Sequence, residues 1–318
     1  MKHLISLKEQ SVENIWEILN LAQEIKAKYK KGELNNDLAQ KTLIMLFEKT
    51  STRTRLSFEA AMTELGGHAI FLDKRTSQFA LTDFSDEIHA VMRMGDIIMM
   101  RMKKTEDVLK SASLNVVPVI DGCSAKYHPA QGLGDILTII ENSKDLQHVK
   151  KIVWLGVENN VSNSLKLLCA KLGVNLVLLS PEANTQSVDS ELNEIVENSG
   201  FMVKTTDIEE ALTGADYIYT DTWMDMEFFE NGKIKSEYED KYIQRRKKFI
   251  PYQINLDLIK NYCPRAKIMH CMPCHIGYEI TREAIHHENS IIFDQAENRK
   301  HAQKAMLVWL LGGGACAF

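Results

Sequence analysis

The sequence predicts an α/β protein built from two doubly wound parallel-sheet domains with an active-site cleft between them. Short apolar runs, typical of buried strands, alternate along the whole chain with longer amphipathic runs, typical of helices. A new series of strand-like runs begins after a helix predicted at residues 132–141. With 318 residues, the chain is long enough for two domains of ordinary size.

The predicted strands fall into two groups, one in each half of the chain. They are residues 42–47, 69–72, 97–101 and 116–121 in the first half, and residues 151–156, 174–180, 217–221, 267–269 and 291–293 in the second. A final amphipathic helix is predicted at residues 302–311. We therefore expect a first domain of residues 1–140 and a second of residues 141–299.

Composition excludes several classes of protein. The hydrophobic fraction of 45% and the charged fraction of 25% are those of a soluble globular protein. A net charge of −5 without a dominant basic tract argues against a nucleic-acid partner. No apolar run approaches the length of a membrane span, and the N-terminus lacks the apolar core of a signal peptide. The six cysteines are scattered and do not resemble a disulfide framework, so we expect a cytoplasmic protein.

The first turn of the second domain argues against a dinucleotide cofactor. Residues 156–160, which follow its first predicted strand, contain a single glycine, Gly156. The G-x-G-x-x-G pattern of NAD and FAD sites needs three glycines for the tight turn and the close approach of the pyrophosphate. We therefore expect no NAD or FAD at this position.

The segment Ser51-Thr52-Arg53-Thr54-Arg55 predicts an anion pocket. It lies where an apolar strand ends and an amphipathic helix begins, so that hydroxyls occupy the cap positions of the helix. Free backbone N–H groups, the positive end of the helix dipole and two guanidinium groups would converge there on a phosphate-type ligand. The alternative is an ordinary capped helix with a basic first turn. Two arginines at this end of the dipole cost stability unless an anion is bound, which favours the pocket.

Two further polar clusters follow predicted strands of the first domain. Arg101 ends the strand of residues 97–101, either as an anion ligand or as a surface charge. His128, Pro129 and Gln131 belong to a polar loop before a helix, where a histidine and a neutral amide can polarise a carbonyl oxygen without a full charge. Taken alone, each cluster is equally compatible with a structural role.

Polar residues of the second domain suggest an amine site and a third anion ligand. Asn160 opens its first helix, and Asp221 follows a strand where a carboxylate can hold an ammonium group. The alternatives are a capped helix and a capped loop. Arg299, just before the final predicted helix, is either an anion ligand or a surface charge.

The segment His270–His275 allows two metal interpretations. Cys271, Cys274 and His275 have the C-x-x-C-H spacing of covalent haem attachment, and with Cys263 or His270 they offer ligands for zinc. Haem attachment needs an exported, oxidising setting that the N-terminus does not indicate. We favour a buried thiol that lines the cleft, with no metal.

Together these motifs resemble those of the aspartate/ornithine carbamoyltransferase family, in order and spacing, along nearly the whole chain. Residues 51–55 resemble its carbamoyl-phosphate loop, Arg101 its isolated phosphate-binding arginine, and residues 128–131 its His-Pro-x-Gln element. Residues 270–273 are similar to the His-Cys-Leu-Pro motif of the ornithine branch, and Arg299 matches that branch's late arginine.

The resemblance implies a transferase that moves the carbamoyl group from carbamoyl phosphate to the side-chain amine of L-ornithine, giving citrulline and phosphate. Arg101, His128, Gln131 and Cys271 would be catalytic, and no metal or cofactor would be needed. The carbamoyl-phosphate site would comprise Ser51, Thr52, Arg53, Thr54, Gln78, Arg101, His128, Gln131, Cys271, Met272 and Arg299.

The resemblance also implies how the rest of the chain is used. Asn160, Asp221, Asp225 and Met226 would bind the amine in the second domain. Residues 300–318 would pack on the first domain, which binds carbamoyl phosphate. The family's loop at residues 76–78 completes the site of a neighbouring subunit, which implies a homotrimer or a multiple of trimers.

The acceptor segment departs from the family pattern Asp-x-Trp-x-Ser-Met-Gly. Asp225 and Glu227 replace its serine and glycine. Extra carboxylates would repel an α-carboxylate and attract a second ammonium, so transfer to putrescine, another diamine or a modified amino acid is an alternative. An alternative of another class is a non-catalytic phosphate-ligand-binding protein, which would have no need of the donors His128 and Gln131.

Overall fold

The computed structural model describes residues 1–224, 228–230 and 233–312. The chain divides into two compact units, which are described separately. The first contains Met1–Ile139, Asn163–Leu168 and the chain from Glu297 onward, and the second contains Ile140–Ser162 and Cys169–Ala296.

The first unit is built on a parallel sheet. Its strands are β1 (Thr42–Phe47), β2 (His68–Asp73), β3 (Ile97–Arg101) and β4 (Val119–Asp121), in the order β2-β1-β3-β4. The helices that begin in this unit are α1 (Val12–Lys30), α2 (Thr52–Glu64), α3 (Phe84–Met92), α4 (Thr105–Ser113) and α5 (Pro129–Ser143). The central strands β1 and β3 are buried almost throughout, as expected for a sheet covered on both faces.

The second unit is built on another parallel sheet. Its strands are β5 (Ile152–Leu155), β6 (Leu176–Leu179), β7 (Met202–Thr205), β8 (Tyr217–Thr220) and β11 (Lys267–His270), in the order β11-β8-β5-β6-β7. A small antiparallel pair, β9 (Phe229–Glu230) and β10 (Lys233–Ile234), lies outside this sheet. The remaining helices are α6 (Asn160–Leu172), α7 (Ser190–Ser199), α8 (Ile208–Leu212), α9 (Glu239–Phe249), α10 (Leu256–Tyr262), α11 (Arg282–Ile285) and α12 (Ile292–Leu311).

Each sheet has one point at which the strand order reverses. In the first unit this point lies between β1 and β3, which pair in parallel from Leu43 and Ile97 to Phe47 and Arg101. In the second unit it lies between β5 and β8. The connections that follow such neighbouring strands leave in opposite directions, which opens a crevice at the carboxyl ends of the strands where ligands bind. The fold therefore marks one candidate binding position in each unit.

Helix α12 is fastened to the first unit by buried polar contacts. Lys300 and Lys304 both pair with Glu64 at the end of α2, and the Lys300 contact is 2.7 Å long. Lys26 of α1 donates a buried hydrogen bond of 2.6 Å to Asn298. These contacts hold residues 298–304 of α12 in place against α1 and α2.

The prediction of two parallel-sheet α/β domains is confirmed. One predicted strand, residues 291–293, is wrong. Ile291 donates a single hydrogen bond to Ile268, and α12 begins at the next residue. A three-residue apolar run does not distinguish a strand from the first turn of a helix.

Two helix starts also differ from the prediction, and one strand was missed. The final helix begins at Ile292 instead of residue 302, so Arg299 lies inside it rather than before it. Helix α5 begins at Pro129 instead of residue 132. Proline is favoured in the first turn of a helix, because the N–H that it lacks would have no partner within the helix there. Strand β7 was not predicted, because it is a short edge strand with a partly exposed, polar pattern. In the described part of the chain, no helix is both long and apolar enough to cross a membrane.

Gly134 of α5 is a close-approach position. A Cβ atom built on it would lie 3.1 Å from the Cα of Arg299 and 3.2 Å from its N. Helix propensity alone would make Gly134→Ala more stable by about 1 kcal/mol. Backbone atoms of a helix cannot yield easily, so we expect the crowding to reverse this sign and lower the free energy of unfolding by about 1–2 kcal/mol.

Chemical denaturation measures this difference. Asn20→Ala, at an exposed position of α1, is the matched control and should be neutral or slightly stabilising. An increase in stability for Gly134→Ala would show that α5 and α12 separate without cost.

Candidate active site

The loop after β1 forms a rigid cap on α2. Ser51 is the N-cap residue, and its Oγ accepts a hydrogen bond of 3.4 Å from the Thr54 backbone N–H. The same hydroxyl donates to Thr54 Oγ1 at 2.9 Å. The loop thus presents hydroxyls and the N-terminus of a helix at the strand-order reversal of the first sheet, as the sequence predicts.

Arg299 connects this loop to α5. Its Nη2 donates to Thr54 Oγ1 at 2.5 Å, and its Nη1 donates to Gln131 Oε1 at 3.2 Å. The arginine is almost fully buried. Because Gln131 also donates to Asp135 at 2.8 Å, the orientation of its amide is fixed from both ends.

His128, which directly precedes α5, contacts the same guanidinium group. Arg299 Nη2 lies 3.1 Å from His128 Nε2. A guanidinium group only donates, so Nε2 accepts and the ring proton lies on Nδ1. His128 Nδ1 is buried and has no hydrogen-bond partner within the described residues. This leaves one N–H donor for a ligand.

The surroundings of His128 keep its ring neutral. Burial has the largest effect, followed by the charges of Arg299, Arg101 and Arg53, and together they hold the pKa of His128 well below its ordinary value. Three guanidinium groups from separate parts of the first unit therefore act on one imidazole. This convergence of positive charge describes an anion site.

Arg101 lies at the end of β3 and is a candidate ligand for an anion. Its Nε is buried, and no partner lies within hydrogen-bond distance in the described ranges. Asp121, at the end of the neighbouring strand β4, is fully buried, and burial raises its pKa to about 7. The Ser124 hydroxyl and the Cys123 N–H donate to Asp121, so this carboxyl group is stabilised locally.

One expectation for the loop is wrong. Arg55 does not join Arg53 in the site. Its Nε pairs with Glu59 at 2.9 Å, and its guanidinium group lies 3.9 Å from the centre of the Phe71 ring. The guanidinium group that contacts Thr54 comes instead from Arg299. An open pocket on the Arg55 side of the loop is lined by Phe47, Lys49, Thr50, Ser51, Thr52, Arg55, Phe71 and Arg75.

Gln78 and Thr52 lie on the surface of the first unit. Gln78 begins a short 3-10 turn, Gln78–Ala80, and its side chain is exposed. Within the described residues it makes no hydrogen bond with the other predicted site residues. Thr52 is the first residue of α2 and is also exposed.

The strand-order reversal of the second sheet carries Asp221. Its Oδ2 accepts from Asn159 Nδ2 at 2.6 Å. Its Oδ1 accepts from the Thr222 N–H at 2.7 Å and from Cys271 Sγ at 3.0 Å. The structure thus brings together Asp221 and Cys271, which were predicted separately.

Asn159 was missed as a candidate site residue. It is the N-cap of α6, with a capping box through Ser162, while Asn160 is the first residue of that helix. The only signal for it in the sequence is a capping residue after a strand, which alone does not indicate a ligand. Asp225 and Met226, the other two predicted amine ligands, lie outside the described residues.

The proposed zinc set of Cys271, Cys274 and His275 is not brought together. The His275 ring instead stacks on Phe229, with 3.8 Å between ring centres. In the part of the chain that the structure describes, one group has metal-ligand spacing: atoms of Asp221, His270 and Cys271 within 4.8 Å of one another. His270 Nδ1 already accepts the Met272 N–H at 2.8 Å, and its Nε2 contacts Glu279. Both ring nitrogens are therefore engaged.

Comparison with known families agrees with this architecture. Residues 2–141 match the carbamoyl-P binding domain of aspartate/ornithine carbamoyltransferase, and residues 148–310 match the Asp/Orn binding domain. The protein is thus a carbamoyltransferase enzyme with the fold of that class. The chain belongs to the aspartate/ornithine carbamoyltransferase family.

Similar proteins cover the full length of the chain. The ornithine carbamoyltransferase of Archaeoglobus fulgidus is 40% identical, with 98% of each chain covered. The solved structure of ornithine carbamoyltransferase from Pyrococcus furiosus has a TM-score of 0.89 at 38% identity, covering 99% of this chain and 98% of its own. Anabolic ornithine carbamoyltransferase from Campylobacter jejuni has a TM-score of 0.84 at 33% identity, covering 98% of this chain and 99% of its own. The resemblance seen in the motifs is confirmed.

The protonation of His128 gives a testable consequence. Because its native pKa is depressed, the unfolded ring takes up a proton below about pH 6.5 while the native ring does not. The contribution of the neutral His128 ring to the free energy of unfolding is therefore fully present above that pH. It decreases as the pH falls, by up to ~1.4 kcal/mol per pH unit.

Nitrogen-15 NMR of labelled histidine measures this directly. We expect the His128 ring to stay neutral at pH values where an ordinary histidine already carries a second ring proton, with its single proton on Nδ1. His128→Gln identifies the resonance and removes this part of the pH dependence of unfolding. A His128 midpoint close to the ordinary histidine value would contradict the predicted depression of the pKa.

Proposed function

We propose that this carbamoyltransferase moves the carbamoyl group from carbamoyl phosphate to the side-chain amine of L-ornithine, giving citrulline and phosphate. The observation that carries the proposal is the convergence of Arg53, Arg101 and Arg299 on a neutral, buried His128. Phosphate needs concentrated positive charge, and a carbonyl oxygen needs neutral donors beside it. Both requirements meet in the first unit.

Phosphate binding is assigned to the cap of α2 and to these arginines. The N-terminus of α2 offers backbone N–H groups and the positive end of a dipole, with Ser51, Thr52, Arg53 and Thr54 around it. Arg101 and Arg299 add guanidinium groups from β3 and α12. Planar guanidinium groups match phosphate oxygens with two parallel hydrogen bonds.

Stabilisation of the reacting carbamoyl group is assigned to neutral donors. The His128 Nδ1–H has no partner in the described part of the chain, and the Thr54 hydroxyl accepts from both Ser51 and Arg299, so its own proton is left to donate. With Gln131, these groups would stabilise the negative charge that develops on the carbamoyl oxygen. Such donors are worth most where they are held in place before the reaction.

The acceptor is assigned to the second unit. Asp221 and Asn160, the first residue of α6, would orient the amino acid, and Cys271 and Met272 would contact the reacting groups. The neutral amine forms the new N–C bond, the C–O bond to phosphate breaks, and phosphate leaves with that electron pair. The amine proton passes to phosphate or solvent. Most of the catalysis would come from positioning and electrostatics.

A diamine is the second candidate acceptor. Asp225 and Glu227 add two carboxylates to the acceptor segment, which would favour a second ammonium group over an α-carboxylate. The similar proteins reported above are named ornithine carbamoyltransferases, which supports ornithine as the first choice.

We also propose a homotrimer whose sites are completed by residues 76–78 of a neighbouring copy. Gln78 is exposed and, among the described residues, makes no hydrogen bond with the other predicted site residues of its own unit, which supports this assignment. Analytical ultracentrifugation measures the assembly. A stable monomer with full activity would contradict it.

An amine panel tests the acceptor. With carbamoyl phosphate present, phosphate release should be far faster with ornithine than with putrescine, because the similar proteins act on ornithine by name. The reverse preference would assign the pocket to a diamine, and Asp225→Ser should then move the preference toward ornithine. No release with any amine would favour a binding protein.

Arg299→Gln tests the phosphate site. Loss of a buried, hydrogen-bonded charge typically costs 2–5 kcal/mol of binding, so the KM for carbamoyl phosphate should rise by about 10²-fold or more. Steady-state phosphate release at saturating acceptor measures it. Arg93→Gln, at an exposed arginine of the same unit, is the control and should behave as the wild type. A near-normal KM for Arg299→Gln in a folded protein would remove Arg299 from the site.

A further inference from the structure

Glu279 is a fully buried carboxyl group behind the loop that carries Cys271. Its Oε1 accepts the His275 N–H at 2.6 Å and lies 3.3 Å from His270 Nε2. Its Oε2 is buried and has no hydrogen-bond partner within the described residues. A buried carboxyl group is costly unless it is well bonded, so its presence here calls for a role.

The contact with Glu279 determines which nitrogen of His270 carries the proton. His270 Nδ1 accepts the Met272 N–H at 2.8 Å and must keep its lone pair for that bond. The ring proton therefore lies on Nε2, where it donates to Glu279. The backbone N–H of His270 donates to Gln295 at 2.9 Å, so the residue is held at three points.

These bonds enclose Cys271 on both sides. His270 is fixed before it, and the Met272 N–H is fixed after it by the His270 ring. The Cys271 thiol then reaches Asp221 Oδ1 at 3.0 Å. A change at His270 would therefore move the thiol and the backbone of Met272 relative to Asp221.

The turn that carries Glu279 is itself well supported. Gln253 donates from its amide to the carbonyls of Gly277 and Tyr278, at 3.0 Å and 2.8 Å. The backbone carbonyl of Glu279 accepts from the Ile254 N–H at 2.9 Å. Because the turn is held by these other bonds, loss of the Glu279 side chain should leave it in place.

We propose that Glu279 is a positioning residue for the acceptor half of the reaction: through His270 it fixes the Met272 backbone and the Cys271 thiol beside Asp221. This inference rests on the proposed function for its kinetic consequence, although the hydrogen-bond chain can be tested without it. Glu279 touches no reacting atom. It acts by holding the groups that do.

The variant should weaken use of the acceptor and leave phosphate binding unchanged. In Glu279→Leu a side chain of similar size remains, but the His270 ring loses its partner. We expect kcat/KM for the amine to fall about 10- to 100-fold, since small displacements of positioned groups have effects of this size. The inhibition constant of inorganic phosphate should stay unchanged, because its proposed ligands Arg53, Arg101 and Arg299 are untouched.

The conservative variant Glu279→Gln is the comparison. Its amide oxygen can still accept from His270 and His275, so it should keep most of the kcat/KM of the wild type. Glu283→Leu, at an exposed glutamate nearby in the sequence, is the matched control and should have no effect. If Glu279→Leu does not fold, His270→Asn and His270→Leu replace it. Asparagine keeps an acceptor for the Met272 N–H, so His270→Asn should retain more acceptor kcat/KM than His270→Leu.

Two measurements separate this inference from the proposed function. Nitrogen-15 NMR should show the His270 proton on Nε2 in the wild type and a changed tautomer balance in Glu279→Leu. Alkylation followed by mass spectrometry should show faster modification of Cys271 in Glu279→Leu, with Cys123 as the internal reference.

The outcomes are distinct. If no amine is carbamoylated by the wild type, the proposed function fails, and NMR and alkylation still decide the role of Glu279. An unchanged tautomer balance and an unchanged Cys271 rate in folded Glu279→Leu would overturn the inference. Equal losses of kcat/KM in Glu279→Gln and Glu279→Leu, or weaker inhibition by inorganic phosphate in Glu279→Leu, would overturn it as well.

Discussion

The proposed anion site depends on the buried guanidinium group of Arg299. It contacts Thr54 of α2, Gln131 of α5 and the ring of His128, so a single side chain fixes three groups from two other segments of the first unit. All three contacts are neutral acceptors. Together with Arg53 and Arg101, the cluster brings several like charges close together, which a bound anion would offset. Burial and these charges also hold the pKa of His128 well below its ordinary value.

The fold explains why these groups meet. The Ser51 loop follows β1, and Arg101 is the last residue of β3. The first sheet reverses its strand order between these two strands. Asn159 and Asp221 follow β5 and β8, the equivalent pair in the second sheet. Parallel strands end at the same edge, so residues far apart in sequence converge there. Helix α12 then brings Arg299 to Thr54 across 245 residues of sequence. Glu64 holds this helix through Lys300 and Lys304.

The range of each interaction determines how much of it the sequence can predict. The strand-to-helix cap at Ser51 is local, so the sequence alone indicates its chemistry. The partners of Arg55 and Arg299 could not be predicted in this way. A helical pattern does not show that Arg55 turns toward Glu59, and nothing in the sequence near Thr54 shows that Arg299 reaches it. The contact between Glu279 and His270 could not be predicted either. The two residues are near in sequence, but only the folded turn brings the Glu279 carboxyl group within 3.3 Å of the His270 ring. The order of short motifs indicates the family, since that order depends on no such contact.

The proposed reaction and the proposed choice of acceptor depend on different residues. The residues around Arg299 and His270 are buried and bonded to one another, so replacing one leaves its partner unsatisfied at a cost of about 1–3 kcal/mol. Asp225 and Glu227, which lie outside the described residues, are the positions where the acceptor segment departs from the family pattern. Under the proposed function, a change of charge at these two positions would alter the preferred amine while the residues around Arg299 stay the same.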